Sequence, residues 1–234
     1  MISLRDQRAR PVLTASITLG MAVGVFAVLF GVGSVAAGGS IAQTCAMSLL
    51  VFTGASQLSA VAVIAGGGSV GSALGGALVL AARNGVFGLT MSRRLTGRLP
   101  TRLLAAQLTI DESTAMATAQ TEPELQRLAF WVTGVSIYVF WNLGTLVGAL
   151  AGNAIDPKRF GLDAAIPSAF VALLWPHLRT RNGRVAMVLG ATLCLATIPF
   201  APVGVPVLVA SLAILIALPN PHADELVDPI ELPA

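Results

Sequence analysis

The chain has 234 residues, 55% of them hydrophobic and only 11% charged, with mean hydropathy +0.82 and a formal net charge of +3. Soluble domains carry roughly 25% charged residues, so too little polar surface exists here to cover a water-soluble body, and the composition specifies a polytopic membrane protein. The basic balance does not point to nucleic acid, because the arginines stand in short loops between apolar runs, the distribution that orients membrane proteins.

The first ten residues, MISLRDQRAR, look like the n-region of a signal peptide. The apolar run that follows, to Val35, is about twice a typical h-region and long enough to span, so it predicts a retained first transmembrane helix over 11–33. Further apolar segments follow at 41–65, 69–91, 128–151, 161–178, 185–200 and 203–218, and a mixed stretch at 103–119 carries Gln107, Asp111 and Glu112. Connections such as GGGS at 66–69 are short, so residues 1–218 form a single integral membrane domain. The tail 219–234, with its prolines and four acidic residues, is expected to be disordered.

Segment 41–65 carries no charge, yet it places Thr53, Gly54, Ser56 and Gln57 near its middle. One arrangement lets both 41–65 and 103–119 cross, giving eight helices and almost no bias of loop arginines. In the other, 41–65 breaks at Gly54 and returns to the side it entered, while 103–119 stays at the interface. That puts eleven of the fourteen Lys and Arg on one side and two on the other, with Arg83 in the membrane. The positive-inside rule favours the second arrangement, so the expected fold is all-α, with about six crossings plus a broken or re-entrant segment and both termini in the cytoplasm. Eight transmembrane helices is the alternative, since 25 apolar residues can simply span.

A break in a membrane helix frees backbone N–H groups at a half-helix N-terminus, which transporters aim at anionic substrate groups. Thr53, Gly54, Ser56 and Gln57 suit that chemistry; the competing reading is a small-residue packing face. Arg83 and Asn84 lie about fourteen uncharged residues into their segment, where an arginine faces a cavity or an acidic partner unless it snorkels to the headgroups. Asp111 and Glu112 suit proton relay or pairing with Arg83, or else the solvated face of an interfacial helix. Asp163 reads as a cap and Pro167 as a kink. Trp131, Tyr138, Trp141 and Trp175 read as packing or interfacial anchors. Cys45, Cys194, His177 and His222 show no metal-ligand spacing. Neither HExxH, a P-loop nor GxSxG is present, so no enzyme chemistry, cofactor or metal is expected.

Five stretches together resemble the AzlC-type branched-chain amino acid exporters: SLLVFTGASQLSAVAVIAGG, LVLAARNGVFGLTMS, LTIDESTAMA, YVFWNLGTLVGALAG and FGLDAAIPSAFVALL. The similarity runs from about Gly20 to Leu218. It implies a large subunit in the bacterial inner membrane that works with a small AzlD-type subunit. Together these would export valine, leucine, isoleucine or similar amino acids on proton-motive force. It further implies Thr53, Gly54, Ser56, Gln57, Arg83 and Asn84 as substrate-binding residues and Asp111 or Glu112 as the proton-coupling group. Members of the family usually read N-A-R-H with a tyrosine before G-L, whereas Ala81, Ala82, Arg83, Asn84 and Phe87 stand here, two polar groups fewer. A non-transporting scaffold subunit and a passive channel are the alternatives. A scaffold would move no substrate, and a channel would show flux independent of a proton gradient.

Overall fold

The computed structural model describes residues 7–152, 171 and 174–214, and all regular structure among them is helical. The helices are α1 (Ala9–Ala36), α2 (Ile41–Val51), α3 (Gly54–Ala65), α4 (Val70–Ser92), α5 (Leu99–Gln107), α6 (Asp111–Thr118), α7 (Pro123–Ala151), α8 (Arg181–Thr197) and α9 (Val205–Ser211), with a 3₁₀ turn at Trp175–Arg179. Only α1, α4 and α7 are, among the described residues, long and apolar enough to cross a bilayer. At 1.5 Å per residue the shortest of them reaches about 35 Å, against a hydrocarbon core of about 30 Å. Of the other expected segments, 185–200 coincides largely with α8. Asp163, Pro167, most of 161–178, the end of 203–218 and the tail lie outside the described residues.

The frame is a pair of parallel helices. Lipid is as apolar as leucine, so membrane helices associate by close packing of small residues and by hydrogen bonds. Gly20 faces Ser136, Gly24 faces Phe140, Gly148 faces Val28 and Gly152 faces Val35, so α1 and α7 run side by side in one direction. A Cβ at Gly24 would stand 2.9 Å from that of Phe140. The fully buried hydroxyls of Ser16 and Thr133 join the pair at 2.8 Å.

Side chains at the helix ends fix the topology. Arg8, before α1, meets Glu122, before α7, at 3.0 Å. Arg94, just after α4, donates to Gln126 at 3.0 Å, and Arg127 donates back to the carbonyl of Arg94 at 3.1 Å. The C-terminus of α4 therefore lies on the face where α1 and α7 begin, and α4 runs antiparallel to both. Its N-terminus shares the opposite face with the C-terminus of α1. Segment 41–65 leaves and re-enters at that opposite face, so it is re-entrant and the eight-crossing arrangement does not hold. Where α3 ends and α4 begins, Gly204 adjoins both Val63 and Ser72 and Leu208 adjoins Gly75, while Gly190 of α8 faces Ala210, so α8 and α9 form an antiparallel hairpin. Arg181 and Arg184, at the start of α8, thereby turn towards the face that carries Arg8, Arg94 and Arg127.

The re-entrant segment turns at Phe52, whose φ of 38° and ψ of 50° are left-handed; it is the one described non-glycine residue with positive φ. The conformation costs about 1–3 kcal/mol and persists only where packing over-determines it. Phe52 is buried, with its ring edge-on to Tyr138 at 4.8 Å. Gly54 is therefore not the turning residue. It begins α3 and is needed for a close approach, because a Cβ there would stand 2.9 Å from the Trp141 ring. The last carbonyls of a helix lack intrahelical partners, and at membrane depth they must find others. Leu49 O accepts from Gln107 Nε2 at 3.1 Å and from Tyr138 OH at 3.2 Å, and Leu50 O accepts from Gln107 at 3.3 Å. One turn back, Met47 O accepts from Gln57 Nε2 at 2.8 Å. That last bond brings one arm of the hairpin back onto the other.

A second hairpin enters from the arginine-bearing face. Helix α5 rises from Arg98, the chain turns at Leu108–Ile110, and α6 descends along α7 towards Gln120, whose carbonyl accepts from Gln126 at 2.8 Å. Thr109 and Ser113 satisfy the turn: Thr109 donates to Ala105 O at 2.7 Å, and Ser113 donates to Leu108 O at 2.6 Å and accepts from Ile110 N at 3.1 Å. The expectation that 103–119 stays at the interface is thus corrected. Its turn reaches the tip of the first hairpin, where Gln107 touches Leu49. Hydropathy misses this segment because its polar side chains are satisfied by backbone and by other helices, not by water.

Candidate functional site

The two hairpin tips meet beside the midpoints of α1 and α7 and enclose a cavity of about 240 Å³. Phe52, Thr53, Gly54, Ala55 and Leu58 come from the first hairpin, and Ile110, Asp111 and Glu112 from the second. Val23 and Phe26 of α1, Arg83 and Asn84 of α4, and Ile137 and Trp141 of α7 complete the wall. Ser92, where α4 ends, lies nine residues beyond Arg83, or about 14 Å. The site is therefore near half depth.

Both half-helices that begin at the cavity point their N-termini into it. Helix α3 starts at Gly54 with no side-chain cap, leaving its first backbone N–H groups and the positive end of its dipole at the cavity edge. Helix α6 starts with Asp111 and Glu112 in its first turn, where its dipole favours negative charge. Arg83 Nη2 stands 2.7 Å from Asp111 Oδ2, tying α4 to α6, with the two side chains 35% and 30% exposed. Apart from Thr53 and Asn84, the rest of the wall is apolar. The site thus offers a cation and a half-helix N-terminus near two carboxylates, facing a hydrophobic surface.

Six of the eight residues singled out from the sequence line this cavity: Thr53, Gly54, Arg83, Asn84, Asp111 and Glu112. Ser56 and Gln57 do not. Ser56 is buried against Thr53, hydroxyl to hydroxyl at 3.3 Å. Gln57 is fully buried and spends its amide on Met47, while its Oε1 has no partner. Both lie on the face of α3 away from the cavity. Sequence reasoning missed Gln107 as the link between the tips, and it read Trp141 and Tyr138 as generic anchors. The available signals were a glutamine in an apolar setting and aromatic residues four and seven positions beyond Gly134 on a buried helix.

A family model described as "AzlC protein" matches residues 18–155 of the chain. Over 155 residues the chain is 29% identical to the Inner membrane protein YgaZ of Escherichia coli strain K12, covering 62% of the chain and 63% of that relative. It is 30% identical over 184 residues to an uncharacterized membrane protein of Archaeoglobus fulgidus, covering 77% of the chain and 78% of that relative. The chain thus spans a little under two thirds of the YgaZ length. No solved structure matches. Both hairpins and every cavity residue fall inside the matched region, and the chain belongs to the AzlC family of membrane proteins.

Proposed function

We propose that the chain is the large subunit of a two-component exporter of branched-chain or similar hydrophobic amino acids. It works with a small AzlD-type subunit in the bacterial inner membrane and is driven by proton-motive force. The observation that carries this reading is the half-depth cavity, whose charges complement a zwitterion and whose walls complement an aliphatic side chain. The substrate carboxylate sits against Arg83 and the free N–H groups at Gly54. Its ammonium sits against Asp111 or Glu112, with Thr53 and Asn84 as hydrogen-bonding neighbours. Its side chain rests on Phe26, Phe52, Leu58 and Ile137. A hydrophobic wall separates aliphatic substrates by roughly 1–3 kcal/mol per methylene, which supports a class of substrates more readily than a single one.

In this reading the Arg83–Asp111 pair is the coupling element. Each group needs a counter-charge at this depth. The substrate's two charges can replace both partners, or a proton can neutralise Asp111 while the substrate carboxylate compensates Arg83, so the α4–α6 contact opens only when both charges are accounted for. The arginine-bearing face is cytoplasmic by the positive-inside rule. The two hairpins enter from opposite faces, so displacing either tip admits one side at a time.

Reconstitution in liposomes with and without the small subunit tests the reading. Labelled leucine, isoleucine or valine should move only with both subunits present and should accelerate when a proton gradient is imposed. Absence of any flux with both subunits would leave a scaffold, and flux indifferent to the gradient would leave a channel.

A further inference from the structure

Helix α5 is thinly held. Ala105 is its one buried residue, and Leu99, Leu103 and Leu104 are each more than 60% exposed. A cavity of about 320 Å³ separates it from the last turns of α4. Gly88 and Met91 of α4 and Leu99, Leu103 and Ala106 of α5 wall this groove, and Thr109 closes its deep end. A Cβ at Gly88 would meet nothing within 4 Å, so the groove is open along α4. At its other end, on the arginine-bearing face, stands Arg102. Arg98 precedes Arg102 by one turn, and Arg93 follows the groove residue Ser92 directly. Among the described residues none of these three arginines has a carboxylate within ion-pair distance.

We infer that this groove binds one anionic phospholipid, with its phosphate at Arg102 and neighbouring arginines and an acyl chain between α4 and α5. Charge decides the occupant. Arginines at a membrane surface attract anionic headgroups, whereas leucine, methionine and glycine walls about 10 Å deep offer an acyl chain nothing polar to desolvate. Among the described residues the arginines have no carboxylate counter-charge, and no side chain fills the groove. A single lipid supplies both. The inference does not depend on the transported substrate, nor on transport itself.

The test uses the full chain purified in mild detergent, supplied with phosphatidylglycerol or phosphatidylcholine. Retained lipid is read by native mass spectrometry and stability by the thermal unfolding midpoint. Phosphatidylglycerol should be retained in preference and should raise the midpoint. Arg102→Gln should lower its retention by about fivefold, and Arg102→Lys should keep most of it. Gly88→Leu, which fills the groove at a position with free space, should lower retention while leaving the midpoint in phosphatidylcholine unchanged. Arg181→Gln, at the start of α8 on the same face, should change neither. Equal losses in Arg102→Gln and Arg181→Gln would mean diffuse attraction and overturn the site. So would unchanged retention in Gly88→Leu. Loss of a co-expressed small subunit in Gly88→Leu, with lipid retention intact, would make the groove a protein interface and overturn the proposal equally.

Discussion

Arg83 on α4 and Asp111 at the start of α6 stand 2.7 Å apart at half the depth of the molecule, each supplying the other's counter-charge. An ion pair so placed is weak evidence of net stability, but removing one partner leaves an uncompensated charge and is costly. Arg83→Ala is therefore expected to destabilise the protein more than Arg83→Ala with Asp111→Asn. A double-mutant cycle of unfolding midpoints in detergent checks this. Additive losses would show that the two groups act independently.

In the proposed exporter the same pair is the coupling element. Asp111→Asn keeps the shape and removes the titratable group. Proton-driven export should fall by at least about tenfold, equivalent to ~1.4 kcal/mol, while exchange of labelled for unlabelled substrate persists. Driven export near the wild-type rate at equal expression would pass the coupling role to Glu112, the other carboxylate on the cavity wall.

Gln57 holds the hairpin and does not touch the cavity. Gln57→Leu is close to isosteric and removes the bond to Met47 O, so stability should fall by about 1–3 kcal/mol, read as a lower midpoint. Apparent substrate affinity should stay within about twofold, since the lost contact is not with substrate. A large affinity loss without a midpoint change would put Gln57 at the substrate.

Gln107 joins the tips of the two hairpins through Leu49 and Leu50. Gln107→Leu takes the side-chain donor from Leu50 O at membrane depth, leaves Leu49 O to Tyr138 alone, and separates the tips. Substrate leak without a proton gradient should rise, while driven transport loses dependence on the gradient. A tight, fully coupled Gln107→Leu protein would show that the tips are held by other contacts.

The re-entrant path fixes which loops share a face. On a background lacking Cys45 and Cys194, a cysteine at Gly71, which is exposed at the start of α4, should react with impermeant reagents added to intact cells. A cysteine at Arg98 should be protected. The reverse pattern, or labelling at both, would contradict the topology.

Much of the architecture was determined by the sequence alone. The charge-poor runs set the membrane helices, because backbone in lipid must bond within itself. The count of loop arginines selected the re-entrant path of 41–65, and it did so because that asymmetry reports where the chain is held during insertion, independently of packing. Arg83, Asp111 and the Thr53–Gly54 break were legible as polar groups that hydrocarbon would not tolerate without partners. Tertiary structure alone decided the rest. Phe52, not Gly54, takes the left-handed turn, since Tyr138 packs its ring and Trp141 crowds the glycine. Segment 103–119 inserts rather than floats, since its polar side chains find bonds on Leu49, Ala105 and Leu108 that no periodicity records. Gln57 faces inward to Met47 because the hairpin folds back, and that long-range geometry, absent from any local window of residues, separates the groups that line the cavity from those that hold it open.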